Sequence, residues 1–120
     1  MKFYQCKECK RVINYLDDMN SSKHGDHFEE LVANTTDAAQ EKHVPVVEEN
    51  GNKVVVTVGS AEHPMQEEHF INWIIVETTH GFQKRELKPN DKPKAEFLLA
   101  AGEKLVSVYE YCNLHGLWKK

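Results

Sequence analysis

The sequence predicts an all-β fold, an antiparallel β-sandwich, on three observations. About six short runs rich in β-branched and aromatic residues follow Val44, no stretch between them carries helical apolar spacing, and an Asn-Gly pair separates two of the runs as a hairpin marker. Strand spacing alone would fit a barrel equally well.

Taken in order, roughly the first thirty residues are polar, charged and histidine-bearing, and Asn20-Ser21-Ser22-Lys23-His24-Gly25-Asp26 reads as loop. A short N-terminal appendage over 1–33 is therefore expected ahead of a main domain over 34–120. Asn34, Thr35, Thr36 and Asp37 offer capping side chains before Ala38-Ala39-Gln40, which predicts a helical turn at most. Strands are predicted over 44–47 and 53–58, flanking Glu48-Glu49-Asn50-Gly51-Asn52, and then over 71–78, 81–87, 96–100 and 105–111. Pro89, Asn90, Asp91 and Pro93 mark the longest break between strands.

At 120 residues the chain suits one ordinary domain with a small addition. Its net charge of −4 argues against nucleic acid or an anionic membrane surface as partner, and an anionic substrate would need a local positive patch. No apolar run exceeds five residues and the N-terminus has no leader-like pattern, so a cytoplasmic protein is expected. Three cysteines, two of them in Cys6-Lys7-Glu8-Cys9, argue against a secreted disulfide framework and for thiols as ligands.

The chemistry concentrates in Tyr111-Cys112-Asn113-Leu114-His115-Gly116-Leu117-Trp118, where a thiolate and an imidazole three residues apart can turn toward one point. Such soft and borderline ligands select iron, copper or zinc over magnesium or calcium. Cys-x-x-His alone is a weak signal. Its force comes from Glu41-Lys42-His43-Val44-Pro45, Glu62-His63-Pro64-Met65 and Glu67-Glu68-His69 upstream. His43, His63, His69, Cys112 and His115 make five candidate ligands, one more than a closed tetrahedral zinc site uses, and iron fits better. His80 matches no motif and reads as a turn residue. Tyr111 and Trp118 read as core.

In these four motifs, their order and their spacing, residues 34 to 118 closely resemble the superoxide reductases, the neelaredoxin and desulfoferrodoxin family. The resemblance implies an immunoglobulin-like sandwich of about seven strands. It also implies one mononuclear non-haem iron per chain, with His43, His63, His69 and His115 in a square and Cys112 on one axial side. The opposite face would take superoxide and reduce it by one electron to hydrogen peroxide. Lys42 would steer the anion and orient a protonating water, and Glu41 would occupy the sixth position of the oxidised metal. A rubredoxin-like carrier would supply the electron, and a homo-oligomer, dimer or tetramer, is expected. Pro45 and Pro64 would stiffen the ligand loops, and the N–H groups of Asn113 and Leu114 would lie near the sulfur. The N-terminal segment resembles desulforedoxin in a degenerate form. Cys6 and Cys9 match, but the adjacent cysteine pair of that iron centre is replaced by His24-Gly25-Asp26-His27, so Cys6, Cys9, His24 and His27 form a candidate second site, for zinc. Two rivals stand beside this reading. A cupredoxin-like electron carrier should have a methionine soon after the Cys-x-x-His motif, where Leu117-Trp118-Lys119-Lys120 has none, and a non-catalytic metal-binding domain would not need the full ligand set.

Overall fold

The computed structural model of the chain describes residues 1–16 and 25–120, which form two compact units, Met1–Val32 and Ala33–Lys120. In the first unit, β1 (Phe3–Cys6) is flanked by β2 (Val12–Ile13) and β3 (Phe28–Leu31) in an antiparallel sheet, and a 3-10 turn at Gly25–His27 leads into β3. Phe3 is buried, while Tyr15 packs edge-on against Tyr4 and Phe28 with ring centroids 5.4 and 6.0 Å away. No strand is predicted in this segment, and the loop read over 20–26 lies mostly outside the described residues. The strands of this sheet are two to four residues long and carry charge, as in Phe28-Glu29-Glu30-Leu31, so no hydrophobic alternation announces them.

The second unit begins with one helical turn, α1 (Gln40–His43), and continues as β4 (Pro45–Asn50), β5 (Lys53–Val58), β6 (Ile71–Thr78), β7 (Gly81–Glu86), β8 (Lys94–Leu98), β9 (Leu105–Cys112) and β10 (Gly116–Lys119). Seven strands divide into two antiparallel sheets, β10-β9-β6-β7 and β4-β5-β8. The chain changes sheet between β5 and β6, β7 and β8, and β8 and β9, the crossing pattern of an immunoglobulin-like sandwich. The alternation in Lys53-Val54-Val55-Val56-Thr57-Val58 sends Val54, Val56 and Val58 inward, beside Ala95 and Phe97 of β8. They meet Ile71, Ile74, Val76, Val108 and Cys112 from the other sheet, so the cysteine sulfur lies at one end of the core. Among the described residues no helix is long and apolar enough to cross a membrane.

The first hairpin turns on Gly51-Asn52, with Asn50 paired to Lys53, one residue later than the Asn50-Gly51 marker suggests. Gly51 takes φ +62 and Asn52 is not left-handed, as in a II′ turn with glycine first, and this lengthens β4 through Glu48 and Glu49. The helical turn likewise lies later than expected, starting at Gln40 after an Ala39 cap that makes no side-chain bond.

The sandwich positions α1 through one close approach. Gly59, just after β5, lies against the α1 backbone, and a Cβ there would stand 2.6 Å from the Glu41 carbonyl oxygen, 2.9 Å from the Lys42 carbonyl carbon and 3.1 Å from the His43 nitrogen. The Glu41 carbonyl in turn accepts from the Ala61 N–H at 2.8 Å and the Ser60 hydroxyl at 3.2 Å. Backbone on both sides cannot yield as a flexible side chain would. Gly59→Ala should therefore lower stability by about 1–3 kcal/mol and weaken metal binding by moving His43. A denaturation midpoint equal to that of the unsubstituted protein would show that α1 is not held by this contact.

Candidate metal centre

Four loops at one end of the sandwich supply the predicted ligands. β9 and β10 are joined by Asn113-Leu114-His115, with Cys112 paired to Gly116, and Gly116 adopts φ +77 to close the turn. This short return brings Cys112 Sγ to 3.9 Å from His115 Nδ1. α1 presents His43, the loop after β5 presents His63, and a tight turn in which Gln66 and His69 exchange backbone hydrogen bonds of 2.9 and 3.0 Å presents His69. The ligand atoms of His43, His69, Cys112 and His115 all lie within 4.8 Å of one another. His63 joins them, with its Nε2 3.2 Å from His43 Nε2 and its ring centroid 4.6 Å from that of His69.

Hydrogen bonding sets the tautomers. His43 Nδ1–H donates to the Ala39 carbonyl at 2.7 Å, and His63 Nδ1–H donates to the Pro64 carbonyl at 2.6 Å. A neutral imidazole that donates from Nδ1 carries its lone pair on Nε2. Two such lone pairs therefore face each other across 3.2 Å, with His115 Nδ1 3.1 Å from His43 Nε2. His69 Nε2 is buried with no hydrogen-bond partner in the protein. Electron-rich nitrogens crowded together and an orphaned buried one are unfavourable in an empty protein, and a shared cation relieves both. The donor set of imidazoles and one thiol suits iron.

Neighbouring side chains hold this arrangement. Trp118, fully buried, stacks on the His43 ring at 4.7 Å and 26° while its indole N–H donates to the His115 carbonyl at 3.1 Å. It is core, as expected, but core that fixes two ligands. Tyr111 stacks on Trp73 at 5.6 Å. The Asn113 N–H, expected near the sulfur, instead donates to the Phe70 carbonyl at 3.2 Å, while the N–H groups of Leu114 and His115 lower the Cys112 pKa. The Asn113 side chain clamps the His69 turn, accepting from Phe70 N–H at 2.9 Å and donating to the Glu68 carbonyl at 3.1 Å. Sequence reasoning missed this role because both partners lie more than forty residues away.

Charge and burial are graded across the centre. His43, His63 and Cys112 are buried, whereas His69 and His115 are half-exposed. Lys42 lines an open cavity of about 510 Å³ beside His63, Pro64 and Met65, and Lys92 lines it too, a second cation that no motif signalled. Glu62 and Asp91 share that cavity. Glu41 instead lines a separate depression with Val46, Val47 and Lys120. His80 sits in the β6–β7 turn, 3.8 Å from Glu103, away from the ligand group. Glu110 is wholly buried with neither oxygen partnered, and desolvation raises its pKa well above the usual carboxylate value.

Of the candidate second site, Cys6 closes β1, Cys9 is exposed in the turn after it, His27 ends the 3-10 turn, and His24 lies outside the described residues. Among the described residues these groups do not form a metal-sized cluster.

Desolvation holds His43 and His69 below the usual imidazole range and takes His63 down to about 4, with the Lys42 ammonium a smaller cause for His43 and His69. Burial raises the Cys112 thiol, opposed by the two N–H donors. These shifts keep the His43, His63 and His69 rings neutral at pH 7, the form that binds a metal, and the thiol would give up its proton on such binding. The same shifts fix the pH response of the metal-free protein. The His63 pKa is about 4 in the folded state and 6.5 in the unfolded one, so between these values the unfolded chain takes up a proton that the folded one refuses. Stability should be complete above pH 6.5 and fall as pH drops toward 4. Thermal midpoints of the metal-free protein between about pH 7 and 5, above most carboxylate titration, check this; a flat profile would mean the rings are not desolvated.

Comparison with known proteins agrees with this geometry. Residues 35–120 match the family model described as Desulfoferrodoxin. A desulfoferrodoxin homolog of Archaeoglobus fulgidus is 41% identical over 121 residues, covering 99% of this chain and 95% of that protein. The desulfoferrodoxin of Clostridium acetobutylicum is 54% identical over 89 residues, covering 74% of this chain and 69% of that protein. The crystal structure of the superoxide reductase from Treponema pallidum superposes with a TM-score of 0.80 at 37% identity, covering 98% of each chain. On the family model, the full-length relatives and the shared sandwich, this chain belongs to the desulfoferrodoxin family.

Proposed function

We propose that the protein is a superoxide reductase, converting superoxide to hydrogen peroxide by one-electron reduction at a single mononuclear non-haem iron held by His43, His63, His69, His115 and Cys112. The observation that carries this is the set of inward-facing imidazole nitrogens, two of them 3.2 Å apart, grouped around a buried cysteine. Bound iron supplies the electron and a coordination position for a small anion. The chain supplies the rest. The outward N–H bonds of His43 and His63 keep the Nε2 lone pairs aimed at the metal, and the Leu114 and His115 N–H groups stabilise the Cys112 thiolate and tune its donation.

Lys42 provides the positive charge that a protein of net charge −4 must place locally to attract superoxide. It is exposed, adjoins His43 in sequence, and its charge acts on both His43 and His69. Glu41, also exposed, is read from the resemblance as the carboxylate that closes the last position after product leaves. The full set of four imidazoles and a thiol disfavours both rivals, since a cupredoxin-type copper uses two histidines and a cysteine with a weak axial ligand. A small one-electron carrier of the rubredoxin kind is the inferred donor, supported by Leu114, 58% exposed between Cys112 and His115 as an apolar contact beside the ligands. Failure of reduced rubredoxin to re-reduce the ferric protein would exclude that donor. A homo-oligomer, dimer or tetramer, is carried over from the resemblance, and a monomer in sedimentation would exclude it. Free Cys6 and Cys9 support a cytoplasmic location, which fractionation of the source cells would test: a protein found outside the reducing compartment would exclude it. The Met1–Val32 unit is read as a degenerate desulforedoxin-like segment, and no described residue adds a third ligand to Cys6 and Cys9; two metals per chain in elemental analysis would restore the zinc reading.

Iron-loaded protein, reduced and pulsed with superoxide, should be oxidised and form peroxide without oxygen; iron that superoxide leaves ferrous would reject the function. Lys42→Ala should slow the second-order step roughly tenfold at low salt and flatten its salt dependence. Glu41→Ala should leave that step nearly unchanged and alter anion binding to the ferric form. Pulse radiolysis across ionic strengths separates the two, and salt-dependent kinetics retained in Lys42→Ala would sink its steering role.

A further inference from the structure

Cys6 and Cys9 take no part in the centre described above, yet their surroundings are organised around a sulfur. Cys6 ends β1, and the turn that follows is closed by the Lys10 N–H donating to the Cys6 carbonyl at 3.0 Å, with Lys10 at φ 61. The turn is tied on both sides. Cys6 N–H donates to the Arg11 carbonyl and Lys7 N–H to the His27 carbonyl, each at 3.0 Å. So held, it aims the Cys9 N–H at Cys6 Sγ, 3.3 Å away. Cys9 is exposed and Cys6 half-exposed, so a small solute reaches both.

An N–H donor aimed at a sulfur favours its thiolate, the form that attacks electrophiles. The Cys9 N–H is the largest cause lowering the Cys6 pKa, opposed by desolvation and by the Glu8 carboxylate. A second thiol in the same tight turn is the arrangement that captures an oxidised cysteine before it goes further.

We propose that Cys6 and Cys9 form a peroxide-oxidisable dithiol, with Cys6 the attacking sulfur and Cys9 the resolving one. Cys6 thiolate attacks one oxygen of hydrogen peroxide; a sulfur–oxygen bond forms, the oxygen–oxygen bond breaks, and the departing hydroxide takes a proton to become water. Cys9 sulfur then attacks Cys6 sulfur, the disulfide forms, the sulfur–oxygen bond breaks, and a second water leaves with the proton of Cys9. Two thiols lose two electrons and peroxide becomes two waters. A dithiol reductant resets the pair by thiol–disulfide exchange. Only the source of the peroxide rests on the proposed activity, since it is the product formed there.

The test adds hydrogen peroxide directly to the full-length, iron-loaded protein, then blocks free thiols and maps the Cys6–Cys9 peptide by mass. The expected result is loss of two hydrogens from that peptide, reversed by a dithiol reductant. Cys9→Ser should leave Cys6 as a sulfenic acid that dimedone labels, and Cys6→Ser should slow oxidation of the remaining thiol roughly tenfold, because the turn aims its N–H donor at the sulfur of residue 6. Four results would overturn the proposal: both thiols unreacted, sulfinic acid without a disulfide, equal rates for the two single variants, or a stoichiometric metal ion that shields the pair. The wild-type measurement depends on no variant folding. Because the peroxide is a reagent, a negative result leaves the superoxide reading standing, and a protein inert to superoxide can still show the disulfide.

Discussion

Two imidazole lone pairs face each other across 3.2 Å at the end of the sandwich, and the surrounding domain keeps them there. An unconstrained chain would rotate either ring away. Here each ring is anchored by an N–H bond to a nearby carbonyl, and Trp118 covers His43 with its face while its indole holds the next ligand loop. The loops are also stitched to one another, α1 to Ser60 and Ala61 through the Glu41 carbonyl and the His69 turn to Asn113. Each bond contributes about 1 kcal/mol, so several together can sustain a local arrangement that is unfavourable without a cation. The sandwich is thus the support for a preorganised ligand set.

Electrostatics around the set separate two tasks. On the buried side, Cys112, His43, His63 and the unpartnered Glu110 form a desolvated environment in which an uncompensated charge is costly. On the exposed side, Lys42 and Lys92 border an open cavity that Glu62 and Asp91 also line, so cations stand beside an equal number of carboxylates. Binding strength belongs to the first environment and access to the second.

Much of this was legible in the residues. β5 and β6 occupy the predicted spans because Val54, Val56 and Val58 alternate inward and the β6 run is dense in β-branched and aromatic residues. β10 was missed because its four residues begin at a left-handed glycine and follow the Cys-x-x-His loop too closely to read as a separate run. The N-terminal sheet escaped because its strands are shorter than any periodicity can reveal. At the centre, motif spacing picked out five candidate ligands that the fold brings together, since each sits in or beside a short loop whose local sequence marks it. What spacing could not reveal was long-range: the Asn113 clamp, Lys92 across the cavity, and the unpartnered Glu110.

The position of Cys112 ties the centre to the interior. Cys112 belongs to the continuous core cluster between the sheets that also holds Val54, Val56, Val58, Ile71 and Phe97. Close-packed interiors transmit volume changes, and a thiolate–metal absorption band responds to small changes in bond length and angle. In a metal-loaded protein, the colour of that band would serve as an optical gauge of packing throughout the sandwich, recording a methyl group added or removed at Val54 or Phe97 without any contact to the histidines.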